Sequence, residues 1–160
     1  MMRFWLLSSE QIPKAGLRER FSLSMVQEDV ESLLLKTPLP PLVIVLCVAS
    51  SGIAALILTG GWTSHSVLGI PIALDEASLS FFKKNSERAE LLKNTSLIIW
   101  DEVPMQHRFA VEAIDRTLRD FLNQPDLPFG AITVAFGGDF QQTLPVVRKG
   151  TKEDIVEACI

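Results

Sequence analysis

Three nearly continuous apolar runs punctuate the chain: Leu42–Ala49, Ser96–Trp100 and Ile132–Phe136. The first is rich in β-branched residues (Val43-Ile44-Val45-Leu46-Cys47-Val48) and has the length of a strand rather than a helix. Runs apolar at nearly every position fit strands covered on both faces, as in parallel sheets. Between them the period lengthens. Gly52–Leu58 reads as a short helix after a tight turn, and Leu74–Lys93 as a helical or irregular polar stretch. Beyond Pro104, Phe109, Ala113, Ile114, Leu118, Phe121 and Leu122 recur at helical steps, with Glu112, Asp115, Arg116, Arg119 and Asp120 mostly between them. That spacing predicts an amphipathic helix opening near Pro104, where a missing N–H costs little, and stopped by Pro125 and Pro128. Thr151–Ile160 reads as a further helix. Strands alternating with helices predict an α/β domain with a parallel sheet over residues 42–160. Residues 1–41 carry no strong periodicity and form an atypical N-terminal segment, with one amphipathic helix expected over Val26–Lys36.

From Thr37 to Leu74 there is no Asp, Glu, Lys or Arg, and Leu39–Leu58 is long enough to span a bilayer. Pro38, Pro40 and Pro41 open this run and Ser50-Ser51-Gly52 breaks it, so a buried strand followed by a buried helix is the better reading. The start, Met1–Leu7, has one Arg and only a short apolar patch, a poor match to a signal peptide. With 160 residues, 48% of them hydrophobic, the chain can build one domain with its own core. Its 15 Lys+Arg against 19 Asp+Glu give a net charge of −4, which excludes a strongly basic protein that coats nucleic acid. A local phosphate-gripping groove remains compatible, because steering depends on where charges sit. Cys47, Cys159, His65 and His107 show no metal-ligand spacing, which argues against structural zinc and for a reduced, intracellular protein. A bound metal would be a hard ion held by carboxylates and phosphate oxygens.

Each strand ends on polar chemistry: Ser50-Ser51-Gly52 after the first, Asp101-Glu102 after the second, and Gly137-Gly138-Asp139-Phe140-Gln141-Gln142 after the third. In open parallel sheets the ligand crevice lies beyond the carboxyl ends of the strands, so these three ends describe one shared site. An apolar strand followed by two acids suits a division of labour. The first acid holds Mg²⁺ and the second polarises an attacking water. A solvated acidic turn before the next helix is the plainer alternative. The paired glycines allow close approach to a phosphate, and a Gln beyond them can sense a terminal phosphate without adding charge. Gly60-Gly61-Trp62-Thr63-Ser64-His65-Ser66 offers hydroxyls and an imidazole to a sugar-phosphate backbone, or simply caps a turn.

Four segments occur in order: Ala49-Ser50-Ser51-Gly52-Ile53-Ala54-Ala55-Leu56, Gly60–Ser66, Leu97-Ile98-Ile99-Trp100-Asp101-Glu102-Val103-Pro104-Met105, and Phe136–Val146. Together they resemble the PIF-one-like ATP-dependent DNA helicases of superfamily one, including the branch associated with Helitron transposons. The resemblance implies a partial RecA-like P-loop NTPase domain, with a parallel β-sheet flanked by helices, moving 5′→3′ on single-stranded DNA with ATP as substrate. It implies that Asp101 holds Mg²⁺, that Glu102 is the catalytic base, and that Gln142 couples the γ-phosphate to DNA with Asp139 supporting its loop. Gly138 falls in the same nucleotide-binding segment. Ser50, Ser51 and Gly52 fall in a motif that touches the DNA backbone, and Thr63 and His65 in the next one. DNA repair, recombination and telomere maintenance are the implied processes, with no membrane role, in the nucleus or mitochondrion if the host is eukaryotic.

The departures matter as much. The family's Gly-Lys-Thr phosphate loop should precede the Leu42 strand, and this sequence contains no Gly-Lys dipeptide. Losing three charge-assisted hydrogen bonds at ~1.5–3 kcal/mol each forfeits roughly 5–9 kcal/mol, or about three to six decades of nucleotide affinity. The second RecA-like domain, with its arginine finger, is not among these residues either. The expectation is therefore a truncated product, a mis-spliced product or a transposon relic, with weak single-strand DNA binding or protein docking as the non-catalytic alternative. One face of the Leu42 strand lacks its usual helical cover in this reading, and either the Val26–Lys36 segment substitutes for it or apolar surface stays open.

Overall fold

The computed structural model describes residues 3–7, 24–26, 44–81, 85–139, 144–147 and 150–160. Six strands form one sheet: β1 (Arg3–Leu7), β2 (Ser24–Val26), β3 (Ile44–Ala49), β4 (Trp62–Thr63), β5 (Thr95–Asp101) and β6 (Thr133–Gly138), in the order β2-β1-β6-β5-β3-β4. Among the described residues five helices accompany them: α1 (Gly52–Ile57), α2 (Ser64–Leu68), α3 (Glu87–Lys93), α4 (Arg108–Phe121) and α5 (Lys152–Ala158). Strands β4, β3, β5 and β6 are mutually parallel. This is the expected sheet. The uncharged run resolves into β3 and then α1, with Ser51 capping the helix by accepting the Ala54 N–H. Among the described residues, no helix is long and apolar enough to cross a membrane.

Within residues 1–41 only Arg3–Leu7 and Ser24–Val26 are described. Both are strands: β1 pairs antiparallel with β6, and β2 antiparallel with β1. Arg3-Phe4-Trp5-Leu6-Leu7 is a short aromatic and aliphatic run that suits a pleated surface, and β6 offers it an edge. Val26 ends β2, and the remainder of the helix expected over 26–36 lies outside the described residues.

The sheet's two faces differ. Leu46, Val48, Ile98, Trp100, Val134 and Phe136 point to one face, as period-two alternation requires, and share the main core with Ala110, Val111, Ile114, Leu118 and Phe121 of α4. Each fully buried large side chain there is worth roughly 1.5–3 kcal/mol. The register aligns Val48, Trp100 and Phe136 in one row across the sheet. On the other face Leu97, Ile99 and Ala135 are buried and Val45 and Cys47 half-buried, in a cluster to which no described helix contributes. On that same face Ala49 packs against Ala54 and Ala55 of α1, and residues 27–36, which could cover the rest of it, lie outside the described residues.

Helix α4 begins at Arg108, four residues after Pro104. Pro104 instead sits in a 3-10 turn, Val103–Met105, and His107 opens α4 by accepting the Phe109 N–H on Nδ1 at 3.2 Å. The helix ends at Phe121, ahead of both prolines. Two residues expected on its polar face are buried: Glu112 and Asp115. Glu112 lies between Arg108 and Arg116, and Asp115 takes Arg119, so the burial is paired. In Leu74–Lys93 the helix is confined to α3, and Thr151 and Asp154 form a capping box that starts α5.

Candidate active site and nucleic-acid interface

The register fixes which strand ends meet. Ala49 pairs with both Thr63 and Asp101, so the ends of β4, β3 and β5 leave the sheet along one edge. Ser50 then clasps β5. Its backbone N–H donates to the Asp101 carbonyl at 3.0 Å, its hydroxyl donates to the same oxygen at 3.3 Å, and that hydroxyl accepts the Trp100 indole N–H at 3.3 Å. Ser51 spends its hydroxyl on the α1 cap, and Gly52 opens the helix, exposed. Gly61 returns the chain under α1: its N–H donates to Leu58, and a Cβ there would run into the Ala55 carbonyl and Leu58. Thr63 precedes α2, with its carbonyl accepting the Ser66 hydroxyl at 3.3 Å. His65 is half-buried, and burial lowers its pKa, favouring the neutral imidazole.

The acids occupy the next position along the edge. Asp101 is 0% exposed. Its Oδ1 accepts the Glu102 N–H at 2.9 Å, while its buried Oδ2 has no hydrogen-bond partner among the described residues. Burial pushes this carboxyl above its usual range, with the backbone bond pulling back. Glu102 has φ 54° and ψ 36°, a left-handed conformation that costs an L-residue about 1–2 kcal/mol. The kink takes Glu102 out of strand alternation, and its carbonyl accepts the Met105 N–H at 3.2 Å to close the 3-10 turn. Burial, then Asp101, then Asp139 raise the pKa of Glu102. Gly138 brings β6 against this turn. A Cβ on it would lie 2.5 Å from Pro104 Cδ and 3.4 Å from Glu102 Cα, and its φ is +145°, so only glycine fits.

Three carboxylates, Asp101, Glu102 and Asp139, therefore share one neighbourhood. Gly138 and Asp139 are placed beside the acids, whereas Gln142 lies outside the described residues. An unpartnered buried carboxylate oxygen beside two further acids suits a hard cation. Among the described residues, no group of three or more His, Cys, Asp or Glu could hold a metal by itself. Cys47 and Cys159 are free thiols.

Sequence reasoning missed three contributors. Trp100 anchors Ser50, Pro104 receives Gly138, and Gln106 donates from Nε2 to Ser64 Oγ at 3.2 Å in the interior. Each acts across the fold, so only a prediction of the strand register could have paired them.

A parallel sheet with helices, carrying an acid pair and a glycine-acid segment at neighbouring strand ends, defines the class of fold: a RecA-like α/β domain. Residues 34–160 match the model of the PIF1-like helicase family, and the chain belongs to that family. The ATP-dependent DNA helicase Pif1 of Psychrobacter is 36% identical over 104 residues, covering 64% of this chain and 16% of that protein. The ATP-dependent DNA helicase RRM3 of Saccharomyces cerevisiae is 32% identical over 114 residues, covering 69% and 15%. A crystal structure of Pif1 helicase from Bacteroides in complex with ADP-AlF3 and ssDNA superposes with a TM-score of 0.60 at 36% identity, covering 71% of this chain and 26% of that one. The unliganded Bacteroides Pif1 gives a TM-score of 0.61 at 31% identity, covering 79% and 28%. The chain thus spans about a sixth of the curated relatives it matches.

Proposed function

We propose that this chain carries the acid-bearing part of an ATP-dependent 5′→3′ DNA helicase motor, in which ATP hydrolysis drives movement along single-stranded DNA. The observation that supports this most directly is the buried, unpartnered Oδ2 of Asp101 beside the strained Glu102. Asp101 would hold Mg²⁺, which when bound neutralises phosphate charge and polarises the phosphoryl oxygens. Glu102 accepts the proton of the attacking water, and its raised pKa makes it a stronger base than an exposed carboxylate. Gly138 gives the Asp139 segment its close approach, and Gln142 senses the terminal phosphate. Ser50 and Ser51, whose hydroxyls are engaged internally, set the backbone of the DNA-facing segment through Gly52. Thr63 and a neutral His65 contact the sugar-phosphate backbone. The processes served are DNA repair, recombination and telomere maintenance, in the nucleus or mitochondrion of a eukaryotic host.

A second reading rests on one specific observation: no Gly-Lys dipeptide precedes β3 or occurs anywhere in the chain. These 160 residues alone then act as a non-catalytic remnant that binds single strands weakly. Steady-state ATP hydrolysis with and without oligo-dT, alongside a fluorescence titration of the same oligonucleotide at several salt concentrations, separates the two. No turnover with weak, salt-sensitive binding is the expected result. DNA-stimulated turnover that disappears in Glu102→Gln would overturn the remnant reading and establish the enzyme. Tight, salt-independent binding would contradict the phosphate-contact interface.

A further inference from the structure

Gln106 and Ser64 are both buried, at 6% and 0% exposure, and the bond between them has no part in the proposed chemistry. A buried primary amide is costly unless bonded, so the contact between them is strongly specified by the fold. Gln106 ends the 3-10 turn that Glu102 begins. Its backbone N–H donates to the Val103 carbonyl at 2.8 Å, and the Met105 N–H donates to Glu102 at 3.2 Å. The five residues Glu102–Gln106, closed by two backbone bonds, therefore connect the strained acid to this amide. On the far side, Ser64 is the first residue of α2 and stands between Thr63 and His65. The hydrogen bond crosses 42 residues of sequence. A separate bond, from Trp100 to Ser50, joins β5 to the end of β3.

We infer that Gln106 is a positioning residue that carries the state of the acidic turn to the Thr63–His65 segment through its buried hydrogen bond to Ser64. The inference rests on the proposed function for the meaning of its two ends. Neither partner is charged, so the link survives burial without a counter-ion, and the turn it reads is held in a strained conformation. A shift of the turn on loading or losing positive charge at Asp101 moves the Gln106 side chain and, with it, the start of α2. The coupling is reciprocal: a ligand held by Thr63 and His65 biases the acidic turn by the same free energy.

The full 160-residue chain, labelled with ¹⁵N, tests this without any turnover. Asp101→Asn removes the charge at the turn, and the amide shifts of Thr63, Ser64 and His65 report the response. The same substitution is repeated in Gln106→Met, which keeps the volume and loses the bond, and in Ser64→Ala. The response is expected to fall at least twofold in either background and no further when the two are combined, while the Trp100 and Glu102 amides respond as before. An undiminished response in Gln106→Met or Ser64→Ala, or no response in the parent chain, overturns the inference. Should Gln106→Met not fold, the smaller Ser64→Ala change carries the same decision. A parallel MgCl₂ titration separates the two levels. Missing shifts at Trp100 and Glu102 sink the Mg²⁺ role of Asp101, and the charge-removal series still decides the link.

Discussion

Two aspartates lie in the interior, Asp115 on α4 at 4% exposure and Asp101 at the end of β5 at 0%, and their surroundings differ. Asp115 is fully occupied. Both its oxygens accept from Arg119 Nε at 2.9 Å, and Oδ1 also accepts the Phe129 N–H at 2.7 Å. Arg119 in turn donates to the Pro125 carbonyl at 2.9 Å, so the carboxylate pins the loop between α4 and β6. That loop needs pinning, because Asn123, Phe129 and Ala131 all have positive φ. Asp101 has one backbone bond, one orphaned oxygen, and a strained neighbour. Equal burial with opposite satisfaction separates a carboxylate that holds the fold from one that, under the proposed function, is kept for a ligand.

The largest expected effect is on the structural side. Asp115→Ala leaves Arg119 and the Phe129 N–H without their acceptor, and removing one partner of a buried pair costs about 3–5 kcal/mol. A urea midpoint that falls by this amount supports the comparison, whereas a loss below ~1 kcal/mol would erase it. Next comes Gly138→Ala, at about 1–3 kcal/mol, because its Cβ meets the Pro104 ring and its φ of +145° strains any side chain. Thermal denaturation measures it. A neutral outcome would mean that β6 does not press on the acidic turn.

The same contrast explains what the residues alone disclosed. The parallel sheet was legible because Val43–Val48, Leu97–Trp100 and Val134–Phe136 are apolar on both faces, a pattern that water excludes from half-exposed strands. The acids were legible because two charges directly after such a run mark the strand's end, where the first is drawn into burial. The burial of Glu112 and Asp115 was not, since periodicity assigns charged residues to the solvent and cannot see Arg108, Arg116 and Arg119 one turn away as their partners. Strand β1 was missed because Arg3–Leu7 is short and its partner strand lies more than a hundred residues later. The Gln106–Ser64 bond was invisible for the same reason: nothing in either segment announces the other.

On the ligand-ready side the expected effects are smaller and reversed in sign. Asp101→Asn keeps the acceptor for the Glu102 N–H and removes an unpaired buried charge, so stability at neutral pH rises by about 1 kcal/mol. The pH dependence follows from the raised pKa. Well below the ordinary carboxylate value both folded and unfolded chains hold the proton and carry no penalty. As pH rises the unfolded chain releases its proton first, so stability falls until pH passes the higher folded value. The advantage of Asp101→Asn in urea midpoint should therefore vanish in acid and reach its plateau at neutral pH. An advantage that grows toward acid would show that Asp101 is paired after all. Glu102→Gly is the smallest change expected, a gain of no more than ~1 kcal/mol, because glycine adopts the left-handed conformation without penalty but adds freedom to the unfolded chain. A loss of stability in that variant would mean that the Glu102 side chain contributes to the fold, and that the strain at the acidic turn is compensated locally rather than kept for a ligand.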